Sequence, residues 1–481
     1  MPPAPLATEP PSDRLIAAFA AIVGQANALT DPADMAPYLT EWRDLWRGRS
    51  RLVLRPRSTA EVSSILRLAS ETGTPIVPQS GNTGLVGAQT PDQSGREVVL
   101  NLARMKSIRS IDAQGYCLVA EAGVTLREVQ LAAEGVDRLF PLSLASEGSC
   151  RIGGNLSTNA GGIAVLSYGN ARDLVLGLEV VLADGRVWDG LRALRKDNTG
   201  YDLKHLFIGG EGTLGIITAA VLKLYPRPRE TATAFVGLES PEKALHLFDR
   251  MRGAAGTGLT AFELMPRLAI DFVTRHFAQH RDPLSGRHAW YVLLEMAGAA
   301  GNGATQALAE TELAAAIADG TIADVALAGS LGQARAFWGL REDLSETQKF
   351  EGGSIKHDVS VPIARIPELI ARGNPRLEAL MPGIRPLPFG HFGDGNLHYN
   401  TSQPMGMDKA AYLARSDEIS AVIYDLVIEL GGSISAEHGI GRLKRELLMR
   451  VKSDVELDMM RKVKAALDPQ GILSPGRILG H

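Results

Sequence analysis

Apolar and polar positions change rhythm several times along the chain. After the proline-rich start "MPPAPLATEPPSDR", apolar residues recur at helical spacing from about Ser12 to Leu45. "SRLVLRP" reads as a strand and "STAEVSSILRLASETG" as a helix. Ser58 is placed to cap that helix, Glu61 to reach back in a capping box, and Gly73 to close its far end. "PIVPQ" and "REVVLNL" are short buried strands. From about Ser107 to Pro226 β-rich runs dominate, namely "YCLVAEAG", "LEVVLADG" and "GIITAAVLKLYP", interrupted by one helix, "TLREVQLAAEG". The proline-punctuated "YPRPRE" marks a boundary. Beyond it, strands ("TATAFVGL", "AWYVLLEMAG", "KHDVSVP") alternate with helices ("PEKALHLFDRMRG", "TQALAETELAAAIADG", "IARIPELIARG"). That alternation predicts an α+β sheet with helices on one face. From Lys409 onward the pattern is helical, broken at "GGSISAEHGIG". The resulting segments are 1–45, 46–226, 227–408 and 409–481.

Composition narrows the class. A chain of 481 residues is too long for one ordinary core. With 45% hydrophobic and 22% charged residues it is an ordinary globular protein. A net charge of −4 with both signs well mixed argues against a nucleic-acid footprint. Two cysteines, Cys117 and Cys150, cannot build a disulfide framework or a zinc ribbon. They read as buried thiols in a reducing compartment. The N-terminal stretch lacks the basic and apolar regions of a secretory signal. No apolar run approaches the roughly 20 residues that cross a bilayer. The expectation is a cytoplasmic protein without a membrane span.

Three glycine-rich stretches carry the first chemical signal. "PQSGNTGLVG" (78–87) follows a strand and offers consecutive N–H groups to an anion. "GGNLSTNAGG" (153–162) repeats the idea with amides and hydroxyls. "GEGTLG" (210–215) matches G-x-G-x-x-G, but β-branched "IITAAVLKLYP" follows where that fingerprint needs a helix. A Rossmann reading therefore fails. Each loop alone is a tight turn, whereas three in one half of a chain favour a phosphate-bearing cofactor.

The second signal is "PFGHFGDGNLHYN" (388–400). With Asp394-Gly395 at the corner of a type I′ hairpin, Phe392 pairs with Leu397 and His391 with His398. The two imidazoles then share one face, Cβ atoms roughly 4.5–5.5 Å apart, with Asn400 following on that face. This geometry suits a metal, and suits equally two hydrogen-bonded histidines beside a turn. His276, His280 and His288 read as surface or structural residues.

In chain order, "PQSGNTGLVGAQTP", "GGNLSTNAGG", "RKDNTGYDLKHLFIGGEGTLGIIT", "GHFGDGNLH" and "SAEHGIG" resemble the FAD-linked D-2-hydroxy-acid dehydrogenases. Within that family the chain is most similar to the D-2-hydroxyglutarate dehydrogenases. The likeness runs from about Trp46 to Pro475. It implies the fold of vanillyl-alcohol oxidase and p-cresol methylhydroxylase: a two-part FAD-binding domain over 46–226 behind an N-terminal helical extension (1–45). A cap domain for substrate (227–408) and a C-terminal segment (409–481) that completes the FAD domain and active site would follow. The resemblance places the FAD pyrophosphate on Pro78, Gln79, Ser80, Gly81, Asn82, Thr83 and Gly84. It implies further flavin contacts from Ser146, Gly148, Gly153, Gly154, Asn155, Thr158, Asn159, Gly161 and Gly162, and from Glu211, Gly212, Gly215, Ile216 and Ile217. Relatives in the wider fold attach flavin through a histidine in or near the first loop. That loop has none here, so the FAD is expected to be non-covalent. Ser80 stands where the family usually shows glycine.

Oxidation of an α-hydroxy acid removes a proton from oxygen and a hydride from carbon, and a divalent cation chelated by the substrate would stabilise the developing alkoxide. Here the resemblance implies His391, His398 and Glu437 as metal ligands, zinc as the ion, and His438 as general base and substrate contact. It implies substrate binding by Arg341, Ser345 (threonine in a better-known relative), Lys356 and Asn400. Arginine grips carboxylate with a planar fork, lysine as a point charge. The expected reaction is oxidation of D-2-hydroxyglutarate to 2-oxoglutarate, with electrons passed to electron-transfer flavoprotein or a quinone. A homodimer is an arrangement the resemblance allows. Three other readings remain: the same chemistry on D-lactate or glycolate, a metallohydrolase that leaves the glycine loops idle, and an electron-transfer subunit without substrate.

Overall fold

A computed structural model describes residues 5–480. The chain folds as two compact units, one of residues 1–161, 169–226 and 437–481, the other of residues 162–168 and 227–436. Residues 409–436 thus fold with the second unit, although they were expected to belong with the C-terminal segment.

The first unit holds two sheets. The smaller has the order Ala28–Leu29, Val53–Leu54, Val98–Asn101, Ile76–Gln79, with Val98–Asn101 parallel to both neighbours. Parallel neighbours need a crossover, and helix Thr59–Thr72 supplies it. Its apolar stripe, Val62, Ile65, Leu66 and Ala69, shares a core with Leu52, Leu54, Ile76, Val98 and Leu100. Ser58 Oγ accepts from Glu61 N as expected, and Gly73 ends the helix at φ +65°. The Glu61 carboxylate, however, accepts from Arg57 N at 2.8 Å rather than closing the capping box on Ser58. The larger sheet is antiparallel, in the order Ile108–Asp112, Cys117–Glu121, Ile216–Lys223, Val175–Val181, Val187–Gly190. The long N-terminal helical pattern is two helices, Asp13–Val23 and Pro32–Leu39. Gly24 at φ +81° ends the first, and strand Ala28–Leu29 fills the gap.

The second unit is built on a sheet in the order Asp324–Leu327, Glu230–Leu238, Trp290–Gly298, Leu259–Pro266, Arg385–His391, Asn396–Ser402, Ser354–Ile355. Helices cover both of its faces, not one. Ala234, Val236, Leu264 and Leu294 pack with residues of helices Pro241–Ala255, Ala304–Ala318, Ile366–Leu380 and Ser416–Glu429. Phe235, Met265 and Leu293, their neighbours of opposite parity, pack with Ile270, Phe272, Phe337 and Leu340 of Arg267–His276 and Leu331–Glu342. Strand side chains alternate between faces, so a strand buried at every position, such as Leu259–Pro266, needs a partner layer on each side. Both cysteines are buried free thiols. Among the described residues no helix is long and apolar enough to cross a membrane.

Candidate active site

In the first unit the three glycine-rich stretches meet. Strand Ile76–Gln79 feeds directly into the first loop. Gly81 packs so closely on the segment leading into the second that a Cβ would come within 2.5 Å of the Ser149 carbonyl oxygen. A Cβ on Gly153 would meet that of Ala122 at 2.7 Å, and one on Gly212 would meet Pro78 at 2.4 Å. Only glycine permits these approaches. Among the described residues the backbone N–H groups of Gly81, Asn82, Thr83, Gly84 and Leu85 find no protein acceptor. Asn82 sits at φ +54° with its Oδ1 buried and without a hydrogen bond. Consecutive unpaired N–H groups beside a polar acceptor fit a pyrophosphate and its sugar hydroxyls, which is the donor set FAD requires.

Several residues expected around the flavin are committed to shaping these loops. Gln79 donates to the Tyr38 and Gln89 carbonyls and accepts from Asn101. The Ser80 hydroxyl donates to the Ala122 carbonyl, and Ser146 O accepts from Ser149 and Cys150 N. Asn155 donates to Cys150 Sγ, Thr158 Oγ1 to the Gly154 carbonyl, and Asn159 Oδ1 accepts from Arg172 N. Gly215 makes room for Val180 and Phe207, while Ile216 and Ile217 are buried strand residues. Gly148 and Gly154 remain open: a Cβ on the first meets nothing within 4 Å, and on the second only Ser80. Gly161 and Gly162 are the residues at which the chain passes from one unit to the other.

Glu211 does something the sequence did not announce. Its Oε1 accepts from Ile440 N and its Oε2 from Gly441 N, both at 2.7 Å. Both oxygens of this expected flavin contact are therefore taken up by the "HGIG" turn. Gly439 (φ +81°) and Gly441 (φ +51°) form the turn after His438. Burial pushes the Glu211 carboxyl up to about 7, against the lowering effect of the two N–H bonds.

The histidine hairpin lies in the second unit, and its register differs from the expected one. His398 pairs with Phe389, and Asn400 with Leu387. A 3₁₀ turn over Phe392–Asp394 followed by Gly395 at φ +90° makes the connection longer than a two-residue I′ turn. The fully buried Phe392 packs against Phe248 and Phe262, which draws the turn into the core. The slip is an even number of residues, so both histidines keep the same face. Their ring centroids lie 5.5 Å apart, edge to face. Ligand atoms of His391, His398 and Glu437, the residue directly after Ala436, all lie within 4.8 Å of one another. Two imidazoles and a carboxylate are a fitting donor set for zinc.

His391 pairs in turn with Glu263 on strand Leu259–Pro266. Glu263 Oε1 lies 2.6 Å from His391 Nδ1, and Oε2 accepts from Arg341 Nε at 2.6 Å. Burial alone would raise this carboxyl, but the charges of His391 and Arg341 and their hydrogen bonds hold it at about 2. Glu263 is not among the site residues expected from the sequence. The available signal was a carboxylate inside the apolar run "LTAFELMP". Arg341, its guanidinium 5.0 Å above the Phe389 ring centroid, keeps its two terminal nitrogens for a carboxylate. Lys356 Nζ donates to the Ser345 carbonyl at 3.3 Å, bringing those two expected contacts together. Asn400 is committed at both ends: Oδ1 accepts from His357 N and Nδ2 donates to Gln348. At most one amide hydrogen remains for a ligand. His276 and His280 are bound to Glu351 and Asp343, each at 2.7 Å.

Comparison with known proteins identifies the family. Residues 50–190 match the FAD binding domain model, and residues 227–478 match the C-terminal domain of FAD linked oxidases. The chain is 37% identical to the mitochondrial D-2-hydroxyglutarate dehydrogenase of Arabidopsis thaliana, covering 96% of this chain and 81% of that one. It is 38% identical to the Bos taurus enzyme of the same name (94% and 81% covered). It is 36% identical to the D-2-hydroxyglutarate dehydrogenase of Xanthomonas citri pv. viticola, with 93% of each chain covered. Among solved structures, p-cresol methylhydroxylase with substrate bound superposes with a TM-score of 0.78 at 18% identity, over 99% of this chain and 98% of that one. That likeness is one of fold. The chain belongs to the FAD-linked oxidases, as an FAD-dependent dehydrogenase with the fold of p-cresol methylhydroxylase.

Proposed function

We propose that the protein oxidises D-2-hydroxyglutarate to 2-oxoglutarate with the help of a divalent cation, zinc being the ion the donors favour. The observation that carries this reading is the cluster His398, His391, Glu263, Arg341, in which the two imidazoles pack edge to face and the buried Glu263 carboxylate bonds both His391 and Arg341. Relatives named for D-2-hydroxyglutarate along nearly the whole chain support the substrate. When bound, FAD supplies a two-electron acceptor for the hydride, and the cation supplies a Lewis acid for the substrate oxygens.

The residues of the chain do the rest. His391, His398 and Glu437 would hold the cation. The terminal nitrogens of Arg341 orient one substrate carboxylate, and Lys356 with Ser345 receive the other. Asn400 offers its remaining amide hydrogen. His438 takes the hydroxyl proton on an imidazole nitrogen as the C–H bond gives up its hydride, leaving a ketone. An external acceptor, electron-transfer flavoprotein or a quinone, would take up the electron pair.

Anaerobic mixing with paired D- and L-2-hydroxy acids tests the reading. D-2-hydroxyglutarate bleaches the flavin and its L-isomer does not. Chelation abolishes the bleaching without releasing FAD, and added Zn²⁺ restores it. Faster bleaching by D-lactate would transfer the substrate to the monocarboxylate class, and full activity in metal-free protein would remove the cation.

A further inference from the structure

We propose that Glu263 is a positioning residue that sets the metal-ligating His391 and the substrate-binding Arg341 in register with one another. This rests on the reading just given. Glu263 stands directly across the strand pair from His391, so backbone hydrogen bonding delivers the carboxylate to the imidazole. Each of its oxygens takes one partner, His391 Nδ1 through Oε1 and Arg341 Nε through Oε2, both at 2.6 Å. Relative exposures are 1% for Glu263, 7% for His391 and 8% for Arg341.

Two consequences follow from that geometry. A proton held on Nδ1 by Glu263 fixes the tautomer whose Nε2 lone pair can face a cation, and makes that nitrogen a better donor. The bond to Nε turns the guanidinium so that its two terminal nitrogens form the gripping edge. One carboxylate therefore ties the position of the cation to the position of the substrate carboxylate. A glutamine cannot replace it, because its single carbonyl oxygen accepts from one partner and its NH₂ confronts the other donor.

The test compares wild type, Glu263→Gln and Glu263→Asp, each as FAD-loaded protein with normal flavin content and circular dichroism. The Asp variant keeps the charge on a shorter arm and serves as the second, milder probe. Zn²⁺ affinity is measured by competition with a chromophoric chelator, with no substrate present. The expected result is a 10- to 100-fold loss in Glu263→Gln and a smaller one in Glu263→Asp. With saturating Zn²⁺, KM for D-2-hydroxyglutarate remains raised in Glu263→Gln, and combining it with Arg341→Met produces less than the product of the separate losses. Unchanged Zn²⁺ affinity in both variants, with only thermal stability reduced, would overturn the proposal and leave Glu263 a packing ion pair. Wild-type protein that binds no Zn²⁺ would overturn the underlying reading and the proposal with it.

Discussion

At the residue scale, the chemistry depends on which atoms are already engaged. Arg341 is buried and tied by Nε, whereas Lys356 is exposed and donates to the Ser345 carbonyl. That difference suits Arg341 to the carboxylate beside the reacting carbon and Lys356 to the distal one. A hydrogen bond to a charged group contributes about 1.5–3 kcal/mol. Lys356→Met is therefore expected to lower kcat/KM for D-2-hydroxyglutarate by roughly 10- to 150-fold. D-lactate, lacking a distal carboxylate, should lose far less. Steady-state kinetics on both substrates checks this, and equal losses would assign Lys356 to the shared end or to the fold.

At the element scale, the turn after His438 is held by a carboxylate distant in sequence. Glu211 grips Ile440 N and Gly441 N, and a Cβ on Gly439 would come within 2.6 Å of its Oε1. Its carboxyl is raised from 4.5 to about 7 by burial, so protonation favours the folded state. The stability it contributes is complete below the unfolded value and is lost as pH rises through about 7. Linkage puts that contribution at about 3 kcal/mol. Thermal melts of wild type and Glu211→Gln should therefore separate in one direction. The wild type gains on the variant as pH falls from about 8 to about 5. A constant difference would mean that Glu211 does not titrate in the fold. Some of these elements were legible early. Ser58 and Gly73 bound their helix because capping is local. The hairpin register was not, because the burial of Phe392 against Phe248 and Phe262 overrode the two-residue turn that Asp394-Gly395 suggests.

For the whole molecule, we propose a flavin held by backbone rather than by a covalent bond. Gly81, Asn82, Thr83, Gly84 and Leu85 offer N–H groups, and no residue between 79 and 84 is a histidine. Precipitation under denaturing conditions should release yellow FAD into the supernatant. Flavin that migrates with the chain on a denaturing gel would contradict this. Adding FAD to apoprotein should raise its melting temperature, with about 2.7 kcal/mol of stabilisation at a hundredfold excess over Kd.

The sequence by itself determined the mixed α and β class, the three glycine-rich loops and the pair of histidines on one hairpin face. These are written in local pattern: apolar period, turn chemistry, and motifs that occupy consecutive positions. It also carried the sign of the hairpin, since a slip of an even number of residues cannot move a side chain to the other face. Helices on both faces of the second sheet could have been read from the unbroken apolar runs of its strands. The partners of Glu263 and Glu211 lay beyond such reading. Glu263 meets a residue 128 positions away and Glu211 one 229 positions away. Only strand pairing and loop closure decide which distant partner a buried carboxylate finds, and the cost of leaving it unpaired is what makes that choice definite.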